Sequence, residues 1–179
     1  MEYRVVDQKV LFDSPMAKIV IDTLEYGQTR RKYFYLASPV EAVATVGVTA
    51  EGNLILTRQY RHPVGQVIYD LPAGRLEPGE TPLDGARREF EEETGFYPRH
   101  LEQLGYYNQF PGTLRAGTTL FYASDLLPTR QNLDEGEVLE IVHITPSKVL
   151  EMIAAGEVID GSLQLGVLLA WHKGLLPGV

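Results

Sequence analysis

The sequence predicts an α+β chain: a mixed β-sheet carrying helices, preceded by a small antiparallel β block. Three observations predict it. β-rich runs dominate the first seventy residues, and one strong helical signal occupies residues 82–94. Strands and helices then interleave without the regular βαβ repeat of a doubly wound fold.

Residues 3–12 and 18–26 are rich in Val, Ile, Leu and Tyr, and Asp13-Ser14-Pro15 between them is a turn signal. Residues 30–36 follow Gly27-Gln28-Thr29, and Ser38-Pro39 closes a block expected to be an antiparallel meander. Residues 42–50 and 53–60 flank Glu51-Gly52, a hairpin signal. Residues 67–71 read as a short strand ended by Pro72. The helix over 82–94 has Thr81 as N-cap, Pro82 at its first position, Asp84 three residues after the cap and Gly95 as its stop. Residues 101–110, 118–123 and 138–144 are expected strands. Thr145-Pro146 opens a helix that ends near Gly156, and a last helix covers residues 163–173, where Trp171 is expected to pack in a core or a dimer contact. Residues 1–40 are thus read as a small β subdomain and residues 41–179 as the main domain.

Of 179 residues, 44% are hydrophobic and 22% charged, a globular composition with a sizeable core. Sixteen Lys+Arg stand against 24 Asp+Glu, a formal charge of −8, which argues against nucleic-acid or anionic-membrane partners. The absence of cysteine removes disulfides, thiolate metal sites and cysteine nucleophiles, and fits a cytoplasmic location. The first residues lack the plan of a signal peptide, and no apolar run approaches the ~18 residues of a membrane span. The four histidines are scattered without ligand spacing.

On a helical wheel of residues 82–94, Leu83, Ala86 and Phe90 share one stripe, expected to face the core. Glu89, Glu92 and Glu93 share a neighbouring stripe, and Arg88 lies one turn before Glu92. Like charges four apart cost roughly 0.2–0.5 kcal/mol per pair, so the clustering calls for an explanation beyond a solvated acidic face. Carboxylates converging beside a Gly-rich loop are the hard oxygen ligands that Mg2+ or Mn2+ prefers. Gly85, on the acidic side, leaves room for a loop or ligand to approach.

The stretch from Gly74 to Phe96, GRLEPGETPLDGARREFEEETGF, resembles the Nudix box, G-x5-E-x7-R-E-U-x-E-E-x-G-U with U a bulky apolar residue. Gly74, Glu80, Arg88, Glu89, Phe90, Glu92, Glu93, Gly95 and Phe96 match at every fixed position. A chance match is on the order of one in ten million per chain. The resemblance implies the Nudix fold, a mixed sheet sandwiched between helices, and hydrolysis of nucleoside diphosphates linked to another group. It implies Mg2+, or Mn2+ in its place, held by Glu89, Glu93 and the carbonyl of Ala73 with Glu92 sharing or supporting them, while Arg88 orients the glutamates and Glu80 supports them. Gly74 and Gly79 would let the loop fold back on the helix.

Leu71-Pro72-Ala73-Gly74 and Arg58-Gln59-Tyr60-Arg61 are similar to segments of the ADP-ribose and nucleoside diphosphate sugar pyrophosphatase branch, as is Pro111, fifteen positions after Phe96. That likeness makes Arg61 the first substrate-binding candidate, with Asp70 and Arg58 beside it. Arg115 and Ala116 stand where the branch carries acids, which favours a broader nucleotide-sugar preference. Among Asp134, Glu135, Glu137 and Glu140, the likeness makes Glu135 the first candidate to activate water and Glu137 the second, with Glu92 and Glu93 as further choices. The N-terminal block implies a homodimer with shared active sites, Arg30 and Arg31 reaching across, and Tyr33 or Phe34 stacking on a base or packing in a core. Two other readings remain: a Nudix enzyme for a dinucleoside polyphosphate or NADH, or a non-catalytic nucleotide-sugar sensor. Eleven of the 24 acids fall within residues 74–96 and 134–140, so an acidic chain of this kind would take an anionic substrate together with metal.

Overall fold

The computed structural model describes residues 2–15, 17–37 and 40–179; the turn read at Ser38-Pro39 lies outside them. In chain order the strands are β1 (Arg4–Asp13), β2 (Lys18–Tyr26), β3 (Thr29–Ala37), β4 (Ala42–Val48), β5 (Leu54–Arg61), β6 (Gln66–Asp70) and β7 (Ala73–Arg75). Helix α1 (Pro82–Thr94) follows, then β8 (Phe96–Asn108), β9 (Leu114–Arg115), β10 (Gly117–Pro128), β11 (Leu139–Ile144), α2 (Pro146–Ala154) and α3 (Gly161–His172). They form two compact units: Met1–Glu41 with Tyr107–Gly117, and Ala42–Tyr106 with Thr118–Val179.

The first unit is a four-stranded sheet in the order β1-β2-β3-β9. Strands β1, β2 and β3 pair antiparallel, and the two residues of β9 add in parallel beside Leu36 and Ala37. Val20 and Tyr35 sit opposite each other and are buried, as is Asp22. Strand β1 is exposed along all ten residues, Val5, Leu11 and Phe12 included.

The second unit is a seven-stranded mixed sheet, ordered β11-β5-β4-β10-β8, with β6 on β5 and β7 on β4. Strand β10 runs parallel to β4, whereas β5 is antiparallel to β4, β6 and β11. Because strand side chains alternate, neighbouring residues of β4 serve opposite layers. Phe90 of α1 packs with Ile55 and Ala123 over the face of Gly47, and a β-carbon on Gly47 would lie 2.4 Å from the Phe90 ring. On the other face, Gly166 of α3 lies against Val46, Leu71 and Leu120. The sheet is therefore sandwiched between α1 and α3.

Helix α1 has the predicted bounds. Thr81 Oγ1 accepts from the Asp84 amide at 3.2 Å, and Gly95 ends the helix at φ +71°. Leu83, expected on the core stripe, is instead 41% exposed, whereas Ala86 and Phe90 are fully buried. Strand β8 begins five residues earlier than expected, since Pro98 is tolerated on an edge strand. Trp171 is half-exposed rather than core. No described helix is long and apolar enough to cross a membrane.

Candidate active site

Arg88 is the hub of the site. Its Nε and Nη2 donate to the two oxygens of Glu80 at 2.9 and 2.8 Å. Its Nη1 donates to Glu89 at 2.9 Å and to Glu92 at 3.1 Å, and Nη2 also donates to the carbonyl of Arg75 at 3.1 Å. The planar fork of a guanidinium allows this many-sided grip, which a lysine cannot reproduce. The Arg88 contact holds the Glu80 carboxyl below its ordinary range, and the carboxylates hold the Arg88 charge more firmly still. Gly85 serves a loop: a β-carbon there would meet Leu76 at 2.4 Å and Glu80 at 3.0 Å.

Glu93 points inward from the same helix. It is 3% exposed and accepts one hydrogen bond, from the Ala73 amide at 2.8 Å. Burial pushes its carboxyl up to about 8; the Ala73 amide opposes this, and the charges of Glu137, Glu89 and Asp70 add to it. Glu89 is raised for the same first reason, burial, against the pull of Arg88. Among the described residues no three carboxylates or imidazoles gather tightly enough to hold a metal ion as they stand. Arg88 is the counter-charge for Glu89 and Glu92, whereas Glu93 has no ion-pair partner among the described residues. A buried carboxylate without a counter-charge, beside further acids and a backbone edge, is the donor chemistry that suits a hard divalent cation.

The loop after β10 is tied to the end of α1. The amides of Thr129 and Asn132 donate to the carbonyls of Gly95 and Glu92 at 2.7 and 2.8 Å, and the Gln131 side-chain amide donates to the Glu93 carbonyl at 2.7 Å. These bonds satisfy carbonyls that a helix C-terminus leaves open. From that anchor the chain makes a turn in which the Glu137 amide donates to the Asp134 carbonyl at 3.0 Å, with Gly136 at φ +85°. Of the two candidate loop acids, Glu137 is the one felt by Glu89 and Glu93, while Glu135 is exposed.

Arg61, at the end of β5, donates from Nε to Asp70 Oδ2 at 3.1 Å and from Nη2 to the same oxygen. Asp70 is 3% exposed and its other oxygen accepts from the Leu71 amide at 2.9 Å, so it holds Arg61 rather than facing a solute. Asp160, the N-cap of α3, accepts from the Leu163 amide at 2.7 Å. Burial first, and the Asp70 charge second, push Asp160 up to about 6. Thr57, the cross-strand partner of Asp70, has a buried hydroxyl with no hydrogen-bond partner among the described residues.

The remaining predicted residues make contacts of their own. Arg58 faces Glu140 across β5 and β11 and pairs with it at 2.9 Å on an exposed face. In the first unit Arg30 pairs with Glu25 at 2.9 Å, and Arg31 lies 5.1 Å from the centre of the Tyr33 ring. Phe34 is exposed and Tyr33 donates to the Gly112 carbonyl at 2.6 Å, beside Pro111. Arg115 donates to the Tyr35 hydroxyl at 2.9 Å and lies over that ring. Sequence reasoning missed Asp160; the available signal was an Asp one residue before a helix-starting Gly-Ser, which reads only as a cap.

A family model described as NUDIX domain matches residues 38–161. The chain is 30% identical over 162 residues to an ADP-ribose pyrophosphatase of Bacillus subtilis, covering 89% of this chain and 88% of that protein. It is 30% identical over 134 residues to the ADP compounds hydrolase NudE of Escherichia coli, covering 73% of this chain and 70% of that one. A crystal structure of an ADP compounds hydrolase superposes with a TM-score of 0.87 at 24% identity, over 97% of this chain and 96% of that chain, which shows the fold.

Proposed function

The chain belongs to the Nudix hydrolase family, and on that footing we propose that it hydrolyses the pyrophosphate bond of ADP-ribose and related nucleoside diphosphate sugars, giving a nucleoside monophosphate and a sugar phosphate. Relatives named for ADP-ribose and ADP compounds support the substrate class. The observation that carries the reading is the buried Glu93 carboxyl bonded to the Ala73 amide, with Glu89 packed against Gly74 next to it in the chain. Glu89, Glu93 and the carbonyl of Ala73, with Glu92 sharing or supporting them, are the groups that would hold Mg2+. Bound there, the ion would offset the charge of the pyrophosphate and of its transition state. Arg61 binds a phosphate, Arg88 keeps Glu89 and Glu92 in place, and Glu137 takes the proton of the attacking water.

The exposed apolar side chains of β1, Val5, Leu11 and Phe12, support a homodimer through the first unit, in which Arg30 and Arg31 serve the partner's site. The reading extends to a cytoplasmic enzyme. The deciding experiment is product analysis with ADP-ribose and a panel of nucleotide sugars plus Mg2+. Nucleoside monophosphate and sugar phosphate are expected, and no turnover across the panel would overturn the proposal. Glu93→Gln is expected to lower turnover by about 10²-fold or more with the fold intact; near-normal activity would refute its part in metal binding.

A further inference from the structure

We propose that the first unit carries a guanine-selective nucleotide site, in which Asp22 and Arg115 read the base and Arg31 and Lys32 meet the phosphate. Asp22 of β2 pairs in register with Tyr33 of β3, and Val20 with Tyr35, so Asp22, Tyr33 and Tyr35 share one face of the sheet. Residues 108–115 lie along that face, held by three bonds. The Tyr33 hydroxyl donates to the Gly112 carbonyl at 2.6 Å, the Leu36 amide to the Thr113 carbonyl at 2.8 Å, and Arg115 Nη2 to the Tyr35 hydroxyl at 2.9 Å. Between the face and the segment is a cavity of about 330 Å³, walled by Leu24, Pro111 and Leu114 together with Tyr33 and Tyr35. Its size and mixed lining are those of a small-molecule site. Aromatic and apolar walls suit a flat ring.

Two charged groups line the same cavity. Asp22 is 6% exposed and accepts from the Gln8 side-chain amide at 2.8 Å. A carboxylate has about four lone-pair sites, so it is able to accept more. Arg115 lies 4.7 Å from the centre of the Tyr35 ring and bonds it through Nη2, and its fork carries further N–H groups. An acceptor-only group and a donor-only group together select a ring with donors on one edge and acceptors on the next. Guanine is that ring: N1–H and the N2 amine suit Asp22, and O6 with N7 suits Arg115. Adenine offers a single donor and sets the N1 lone pair against the carboxylate. Hypoxanthine keeps O6, N7 and N1–H but lacks the amine. Tyr33 and Gly112 also border a second, polar cavity of about 180 Å³, lined by Arg31 and Lys32. Two cations there suit the phosphate of the same nucleotide. The base can arrive on the substrate, as a GDP sugar, or on a free guanine nucleotide.

Calorimetric titration of the metal-free protein with GMP, IMP and AMP tests the site. GMP is expected to bind about tenfold or more tighter than AMP, with IMP between them. Asp22→Asn and Arg115→Lys are each expected to weaken GMP binding by about tenfold and to change AMP binding little. An unfolding midpoint near that of the parent shows that a variant is folded; if either fails to fold, the order of the three nucleotides on the parent decides alone. AMP binding as tightly as GMP would overturn the proposal, and so would GMP binding untouched by both substitutions. Hydrolysis of ADP-ribose with Mg2+ separates the two sources, and only this arm rests on the proposed function. GMP that raises KM in the parent but not in Asp22→Asn assigns the site to the base of the substrate. GMP that binds without raising KM assigns it to a free guanine nucleotide. If the parent hydrolyses no nucleotide sugar, the proposed function fails, and the titrations still decide whether the first unit reads guanine.

Discussion

The Glu89 carboxylate fills the space that a side chain on Gly74 would need: a β-carbon there would lie 2.0 Å from Glu89 Cδ. Strand β7 and helix α1 therefore meet at a point where one side must be bare. Gly74→Ala is expected to expel Glu89 from its place, costing about 1–3 kcal/mol of stability as an overpacked contact and lowering kcat by about 10²-fold or more. A Gly74→Ala protein with turnover within twofold of the parent would show that Glu89 need not lie there.

Arg88 neutralises Glu80, Glu89 and Glu92 at distances of 2.8 to 3.1 Å while remaining a quarter exposed. Arg88→Ala is expected to cost about 1–3 kcal/mol, the lower range for charged groups left partly in solvent. Arg88→Lys should recover only part of this, because an ammonium cannot reach both Glu80 oxygens and Glu92 at once. Urea unfolding of the two variants checks it; full recovery by lysine would mean that charge alone matters.

Glu93 predicts how stability depends on pH and metal. Its folded value, about 8, lies above its ordinary 4.5. A carboxyl with a raised folded value binds more protons folded than unfolded, so stability falls as pH rises between those values. The metal-free protein is expected to melt lower at about pH 8 than at about pH 6. Cations bind the deprotonated form, so Mg2+ should raise the midpoint more at the higher pH. Equal Mg2+ shifts at the two pH values would contradict a buried Glu93 without a counter-charge.

Glu137 and Glu135 are two residues apart and separable by experiment. Because Glu137 acts on the Glu89 and Glu93 charges and Glu135 is exposed, Glu137→Gln is expected to lower kcat by about 10²–10⁴-fold. Glu135→Gln should stay within a few-fold. The reverse result would assign proton transfer to Glu135.

Local signals carried much of the fold. Helix α1 obeys its cap, its Pro82 and its Gly95 stop, all within a few residues, and so its bounds were legible. Strand β7 was not: three residues after a proline have no periodicity, and only pairing with β4 makes them a strand. Residues 107–117 show no mark of the company they keep, because their place depends on β9 pairing with β3, 78 positions away in sequence. At the site, the spacing of Glu89, Glu92 and Glu93 was readable as one stripe, whereas the division between two acids held by Arg88 and one buried alone was not. That division depends on Glu80 and on burial, neither of which periodicity encodes.

The bonds from residues 129–132 to the last carbonyls of α1 set where this protein can be lengthened. Thr129, Gln131 and Asn132 each stand at a fixed address on the helix end, so an insertion among them would strip Gly95, Glu92 or Glu93 of its partner. The turn beginning at Asp134 lies just beyond the last anchor, and residues added there would change only how far Glu137 reaches. The reach of the loop and the integrity of the helix are therefore separately adjustable.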